Sequence, residues 1–138
     1  MEGQASFMTR NELERMSDLG ESIKKLKERE NDLMESVQGL TAILSDMPKA
    51  HSHYDKLAGY VVRLEEIRAE YADMITEHEN LRIRYDKAVL VLNRKERKVI
   101  ELRYESNFGW QRIAWKLHFS ESHVFKLHRE ALKKVADF

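Results

Sequence analysis

Two long stretches of this chain repeat apolar residues at alternating spacings of three and four, and that period leaves little choice of fold. In the first, Met16, Leu19, Ile23, Leu26, Glu30, Leu33, Val37, Leu40 and Leu44 keep the rhythm with one polar member, Glu30. In the second, Leu57, Tyr60, Leu64, Ile67, Tyr71, Met74, His78, Leu81, Tyr85, Ala88 and Leu92 keep it with one polar member, His78. Side chains so spaced return to one face of an α-helix and contradict the two-residue period of a strand. Between the stretches lies Ser45-Asp46-Met47-Pro48-Lys49-Ala50-His51. The proline there has no N–H to donate and drives Met47 out of the helical region. Two heptad helices joined by a short loop, at about 45–53, should fold back antiparallel. Residues 1–92 are therefore expected to form a long antiparallel coiled-coil helical hairpin, with arms of about 50–55 Å at 1.5 Å per residue.

Local signals refine this expectation. Residues 1–7 carry no period and should fray, Thr9 or Asn11 can start the first helix, and Ser52 with Asp55 can cap the second. Gly20 and Gly39 each cost roughly 1 kcal/mol relative to Ala. Glu30 and His78 read as register-setting polar residues able to face each other across the hairpin. Val61, Ile75 and Val89 widen the apolar stripe of the second helix beyond what one partner covers, so dimerisation or docking is expected on that flank.

Charge separates the chain into two parts. The whole is neutral, with 24 basic and 24 acidic residues, but residues 1–92 hold 13 basic and 18 acidic, a net of −5. Residues 93–138 hold 11 basic and 6 acidic, a net of +5, with three histidines besides. The second part is suited to a polyanion that the first would repel. The absence of cysteine excludes disulfides and thiolate metal sites and fits a reducing compartment. The longest apolar run, Ala88–Leu92, is far short of the roughly 20 residues of a spanning helix, and the acidic N-terminus resembles neither a signal nor a transit peptide. The expected location is the cytoplasm. His51 and His53 form a pair without a third ligand at metal spacing, so no metal is expected. No Gly-rich phosphate loop, nucleophile elbow or paired carboxylate stands out, and the chain reads as a non-enzyme without a cofactor.

Residues 93–138 should form a small three-helix domain. Asn93 and Glu96 have capping-box spacing, and the helices read as Arg94 to about Glu105, Trp110–Leu117, and Glu121 to about Ala136. Asn107 suits a left-handed helix end, while Gly109 and Ser120 suit the caps of the next two. Ile113, Leu117, Val124, Leu127, Ala131, Leu132 and Val135 point inward, with Ala114 small where two helices approach closely. The last two helices thus have the dimensions of a helix-turn-helix, whose second helix reads base edges in the major groove. The candidate DNA-binding residues are Glu121, Ser122, His123, Phe125, Lys126 and Arg129 on that helix, with Arg112 and Lys116 before it. Lys126, Arg129, Arg112, Lys116 and Lys133 are the phosphate candidates, although Lys133 and Lys134 also suit a helix C-terminus. Trp110, Trp115, Phe108, Phe119 and Tyr104 read as core and rim.

Val99-Ile100-Glu101-Leu102-Arg103-Tyr104, Trp110-Gln111-Arg112-Ile113-Ala114, Ser120-Glu121-Ser122-His123-Val124 and Ala131-Leu132-Lys133-Lys134-Val135 resemble, in order and spacing, region four of bacterial sigma factors. With the Ser45-Asp46-Met47-Pro48-Lys49 loop between charged heptad helices, nearly the whole chain is similar to the RinA-like and ArpU-like phage activators of late or packaging genes. The resemblance implies promoter-proximal binding by the last helix, contact with host RNA polymerase, and base or phosphate contacts from Glu121, Ser122, His123, Phe125 and Lys126. The chain departs from the sigma pattern in having Gln111 and Arg112 where Glu is frequent, His118 where Gly is common, and Phe125 where a polar or basic residue is usual. A phenyl ring allows only an apolar contact, such as with a thymine methyl. The expected function is a sequence-specific transcriptional regulator binding double-stranded DNA, with a homodimer through the hairpin. Two alternatives stay open: a small-terminase-type DNA-packaging recognition protein, and a polymerase-binding adaptor without DNA binding.

Overall fold

The computed structural model describes residues 8–46 and 51–136. The described residues form helices joined by short connections, with no strand among them: α1 (Arg10–Asp46), α2 (His51–Ala88), α3 (Arg94–Ile100), α4 (Trp110–Leu117) and α5 (Glu121–Ala136). A 3₁₀ turn at Val89–Val91 follows α2, and a π turn at Glu101–Glu105 extends α3. No described helix is long and apolar enough to cross a membrane. The expected fraying at 1–7 and the proline break itself lie outside the described residues. Helix α1 runs on to Asp46 and α2 starts at His51, so the interruption is shorter than the expected 45–53 and Ser52 lies inside the first turn of α2 instead of preceding it. Every heptad seam position of both helices is buried or half-buried, as a 3.5-residue period requires, and α1 continues unbroken through Gly20 and Gly39.

The chain divides into two compact units. One comprises Gly20–Thr76, with Leu26, Leu40, Leu44, Leu64 and Ile67 buried along the seam. Its polar interruption finds partners other than His78: Glu30 Oε2 accepts from Arg68 Nε and from the Tyr71 hydroxyl, each at 2.8 Å. The Arg68 hydrogen bond, then that of Tyr71, holds the Glu30 carboxyl below the usual range, and the same contact raises the Tyr71 phenol. Arg68 also reaches Met34 Sδ at 3.6 Å. Tyr71 thus lies by Glu30 and Arg68 by Met34, so the two helical segments run in opposite directions here. On the flank, Val61 is exposed and Ile75 half-buried; Val62, about 100° further round the helix, is exposed too.

The other unit, described over 8–19 and 77–136, joins both ends of the sequence. Thr9, the first of the two expected helix starts, forms a capping box. Its hydroxyl accepts from the Glu12 N–H at 3.2 Å, and Glu12 Oε1 accepts from the Thr9 N–H at 3.1 Å. Glu12 pairs with Arg84, and Arg15 Nε with Glu77 at 2.7 Å, again joining rising positions of α1 to falling positions of α2. Met8 and Leu13 are enclosed, the Met8 N–H donates to the Val135 carbonyl at 3.2 Å, and Ser17 bonds Asn107. Start of α1, end of α2 and the three short helices therefore form one compact unit, through which the sequence-based boundary at 92/93 passes. The largest fully enclosed side chains, Tyr85, Met8, Leu13, Ile100 and Ile113 among them, all belong to this unit. Val89 is buried too, so the exposed flank expected of Val61, Ile75 and Val89 does not reach it. There the backbone tightens into the 3₁₀ turn, and Arg97 Nε bonds the Val89 carbonyl at 3.2 Å.

Candidate nucleic-acid interface

Local chemistry sets the three short helices. The Asn93 side chain accepts from the Glu96 N–H at 2.9 Å while Glu96 Oε1 accepts from the Asn93 N–H at 3.0 Å, completing the capping box that starts α3. Glu96 is 1% exposed and its charge is met by Lys134 Nζ at 2.8 Å. This contact joins α3 to α5 and gives Lys134 a carboxylate partner within the fold. The expected helix from Arg94 to Glu105 is instead α-helical to Ile100 and then widens into the π turn, where Arg82 Nη1 at 2.6 Å and the Tyr85 hydroxyl at 2.8 Å both hold Glu105. Burial, then the Glu105 bond, pushes the Tyr85 phenol far up.

Helices α4 and α5 are separated by His118, Phe119 and Ser120. His118 takes the left-handed conformation (φ 60°), as does Asn107 (φ 57°) before α4. The Phe119 N–H donates to the Ala114 carbonyl at 3.0 Å, closing α4, and the Ser120 hydroxyl accepts from the His123 N–H at 3.1 Å, opening α5. Ile113, Ala114, Val124 and Leu127 meet Val99 and Leu102 in a core ringed by Phe108, Trp110, Leu117 and Phe119. The small side chain of Ala114 is buried where the expectation put a close helix approach.

With that face committed inward, α5 leaves Glu121, Ser122, Phe125, Lys126 and Arg129 exposed, and His123 half-buried. The row is not held by charges of its own unit: among the described residues neither Lys126 nor Arg129 has an ion-pair partner. Phe125 rests on Trp110 at 5.1 Å between ring centroids, and the His123 ring stands edge-on to Phe119 at 4.7 Å. Arg112 and Lys116 are exposed on α4 and gather at another ring, Phe108, at 3.9 and 5.7 Å from its centroid. No hydrogen bond, ion pair or ring contact among the described residues joins these two to the α5 row.

Beneath the row His128 is buried. Its Nε2 lies 2.8 Å from the Tyr104 hydroxyl and its ring meets Trp110 edge-on at 4.6 Å. Burial, reinforced by the Arg10 and Arg103 charges, pushes its pKa down to about 4. The neutral ring can then accept the Tyr104 proton at Nε2. Trp115 departs from its expected place in the core and rim: it is 79% exposed. The turn of about 100° per residue from Ala114, which faces the core, carries it outward. Sequence reasoning also missed a basic group on α3. Arg94, Lys95 and Lys98 line an open cleft of about 340 Å³ with Leu117 and Phe119, and Lys95 Nζ lies 5.7 Å from the Phe119 ring. Their spacing, with Arg94 and Lys98 one helical turn apart opposite Val99 and Ile100, was the available signal.

A basic three-helix region carrying a solvent-facing row on its last helix defines a class of helical protein with a candidate polyanion surface. The chain belongs to the family described as "Protein of unknown function (DUF722)", which it matches over residues 16–137. No curated protein and no solved structure matches it.

Proposed function

We propose that this protein binds duplex DNA through the first turns of α5, set in the major groove, and regulates transcription. The observation that carries the reading is the α4–turn–α5 unit. Its inner face is packed into the core, while Ser122, Phe125, Lys126 and Arg129 stand exposed on α5. That is the geometry a helix-turn-helix needs, because a recognition helix must be fixed by its core face and free on the other. The +5 charge of residues 93–138 supplies attraction to phosphate. In this reading Ser122, His123 and Glu121 meet base edges, Phe125 offers an apolar contact, and Lys126, Arg129, Arg112 and Lys116 meet phosphates. The sigma-like motif order supports an activator of phage or prophage genes working with host RNA polymerase. The opposed pairings of Glu12 with Arg84 and of Glu30 with Arg68 and Tyr71 support an antiparallel coiled-coil hairpin. Exposed Val61 and Val62 supply a surface for its self-association.

Anisotropy titration against duplex fragments retained by the purified protein tests this. Replacing Lys126 and Arg129 together by Ala should weaken binding to all sequences and reduce the salt slope by about 0.9 for each phosphate left unneutralised. Ser122→Ala should shift base preference instead. Absence of duplex binding at low salt ends the proposal, and polymerase capture under those conditions would favour an adaptor. Sedimentation separates a regulator, as monomer or dimer, from a packaging protein, as a ring of many subunits.

A further inference from the structure

We infer that Arg94, Lys95 and Lys98 of α3 form a second phosphate-binding strip, which grips the DNA backbone beside the groove entered by α5. The inference rests on the DNA-binding reading and adds residues from a helix outside the α4–turn–α5 unit. Three observations carry it. First, the three cations are exposed on one side of α3, whose other side holds Glu96, Val99 and Ile100 in the core. Second, they have no carboxylate within ion-pair distance among the described residues, whereas neighbouring Arg97 is spent on the Val89 carbonyl and Lys134 on Glu96. Third, the strip is tied by ring contacts to the start of α5. Lys95 Nζ is 5.7 Å from the Phe119 ring, and Phe119 is 4.7 Å from the His123 ring in the first turn of that helix.

The distances suit a duplex. Through Phe119, Lys95 Nζ lies no more than about 10 Å from the His123 ring, inside the ~12 Å width of the major groove. A helix seated in that groove puts a cation at this separation close to the phosphates of the groove rim. The cleft that the strip lines together with Leu117 and Phe119 offers apolar surface suited to deoxyribose carbons beside ammonium and guanidinium groups suited to the charged oxygens. An acidic protein segment could satisfy the same charges. Continuity with the α5 row favours the nucleic acid, since one polyanion then neutralises both cation groups at once.

The test compares three full-length proteins by anisotropy with one duplex between 50 and 200 mM salt: the natural sequence, Arg94→Ala/Lys95→Ala/Lys98→Ala, and Lys126→Ala/Arg129→Ala. All replaced side chains are exposed, and thermal melting confirms that each variant is folded. The α3 variant is expected to show a salt slope shallower by about 0.9 for each phosphate it no longer neutralises, and the charge-retaining Lys95→Arg/Lys98→Arg protein to keep the natural slope. If the α3 variant keeps the natural slope while the α5 variant does not, the strip is refuted and the DNA reading survives. If the natural protein binds no duplex, both fall. Capture of an acidic, aromatic-containing peptide by the natural protein but not the α3 variant, with duplex binding unchanged, also overturns the inference and assigns the cleft to a protein partner.

Discussion

A histidine closed in by a phenol and an indole is costly to protonate, and His128 in that position makes stability depend on pH. Its pKa falls from the ordinary 6.5 to about 4 on folding, so between these values the unfolded chain holds a proton that the folded chain lacks. The contribution is complete above pH 6.5 and is lost as pH falls from there towards 4, amounting to something on the order of 3 kcal/mol. Urea melts at pH 7 and pH 5 should show the part of this loss that falls above pH 5, about 2 kcal/mol. His128→Gln should be less stable at pH 7 but with a flatter slope across the window. An unchanged slope would contradict the assignment. The paired carboxylates Glu12, Glu30 and Glu77, whose pKa values are lowered, add their own losses only below about 4.5. Glu12 reaches that state against the opposing pull of partial burial, through its bonds to Arg84 and Thr9.

At the scale of the element, what the sequence made legible was local chemistry. Asn93 with Glu96, Ser120 with the His123 N–H, and left-handed Asn107 are each settled within four residues, so spacing alone announces them. The heptad seams are legible for the same reason, because burial repeats with the helix. Contacts between distant residues escape this logic: nothing near Glu30 says that Tyr71 and Arg68 will meet it, and nothing near Trp115 says that its ring faces water. Of the candidate site, the α5 row could be read from periodicity. The exposed side of α3 could be read the same way, but not its nearness to Phe119 and His123, which depends on tertiary packing. His118 offers a test at this scale. A non-glycine residue at φ 60° is strained, and the side chain is exposed, so His118→Gly should raise stability by roughly 0.5–1 kcal/mol in thermal melts. A lower melting temperature would mean that the imidazole contributes something the backbone geometry does not reveal.

For the whole molecule, the unequal enclosure of the two units sets where the chain resists opening. Amides of 8–19, 84–104 and 113–135 should exchange with deuterium more slowly than those of 20–76, because among the described residues the fully enclosed large side chains all lie in the first group of segments. Leu13 is 1% exposed and far in sequence from α5, yet it belongs to the same compact unit. Leu13→Ala should cost about 2–4 kcal/mol, detectable as faster exchange in α5 and as a shift in Trp110 fluorescence. If α5 is untouched while α1 alone loosens, the shared unit is wrong.

The bond from the Met8 N–H to the Val135 carbonyl has a consequence for biosynthesis. The ribosome delivers Met8 and Leu13 early and Val135 more than a hundred residues later, so the opening turns of α1 emerge with their apolar side chains uncovered. They stay uncovered on that side until α5 has been made. A transcript truncated before α5 would release a chain with that sticky surface permanently bare, making it a natural target for proteolytic clearance.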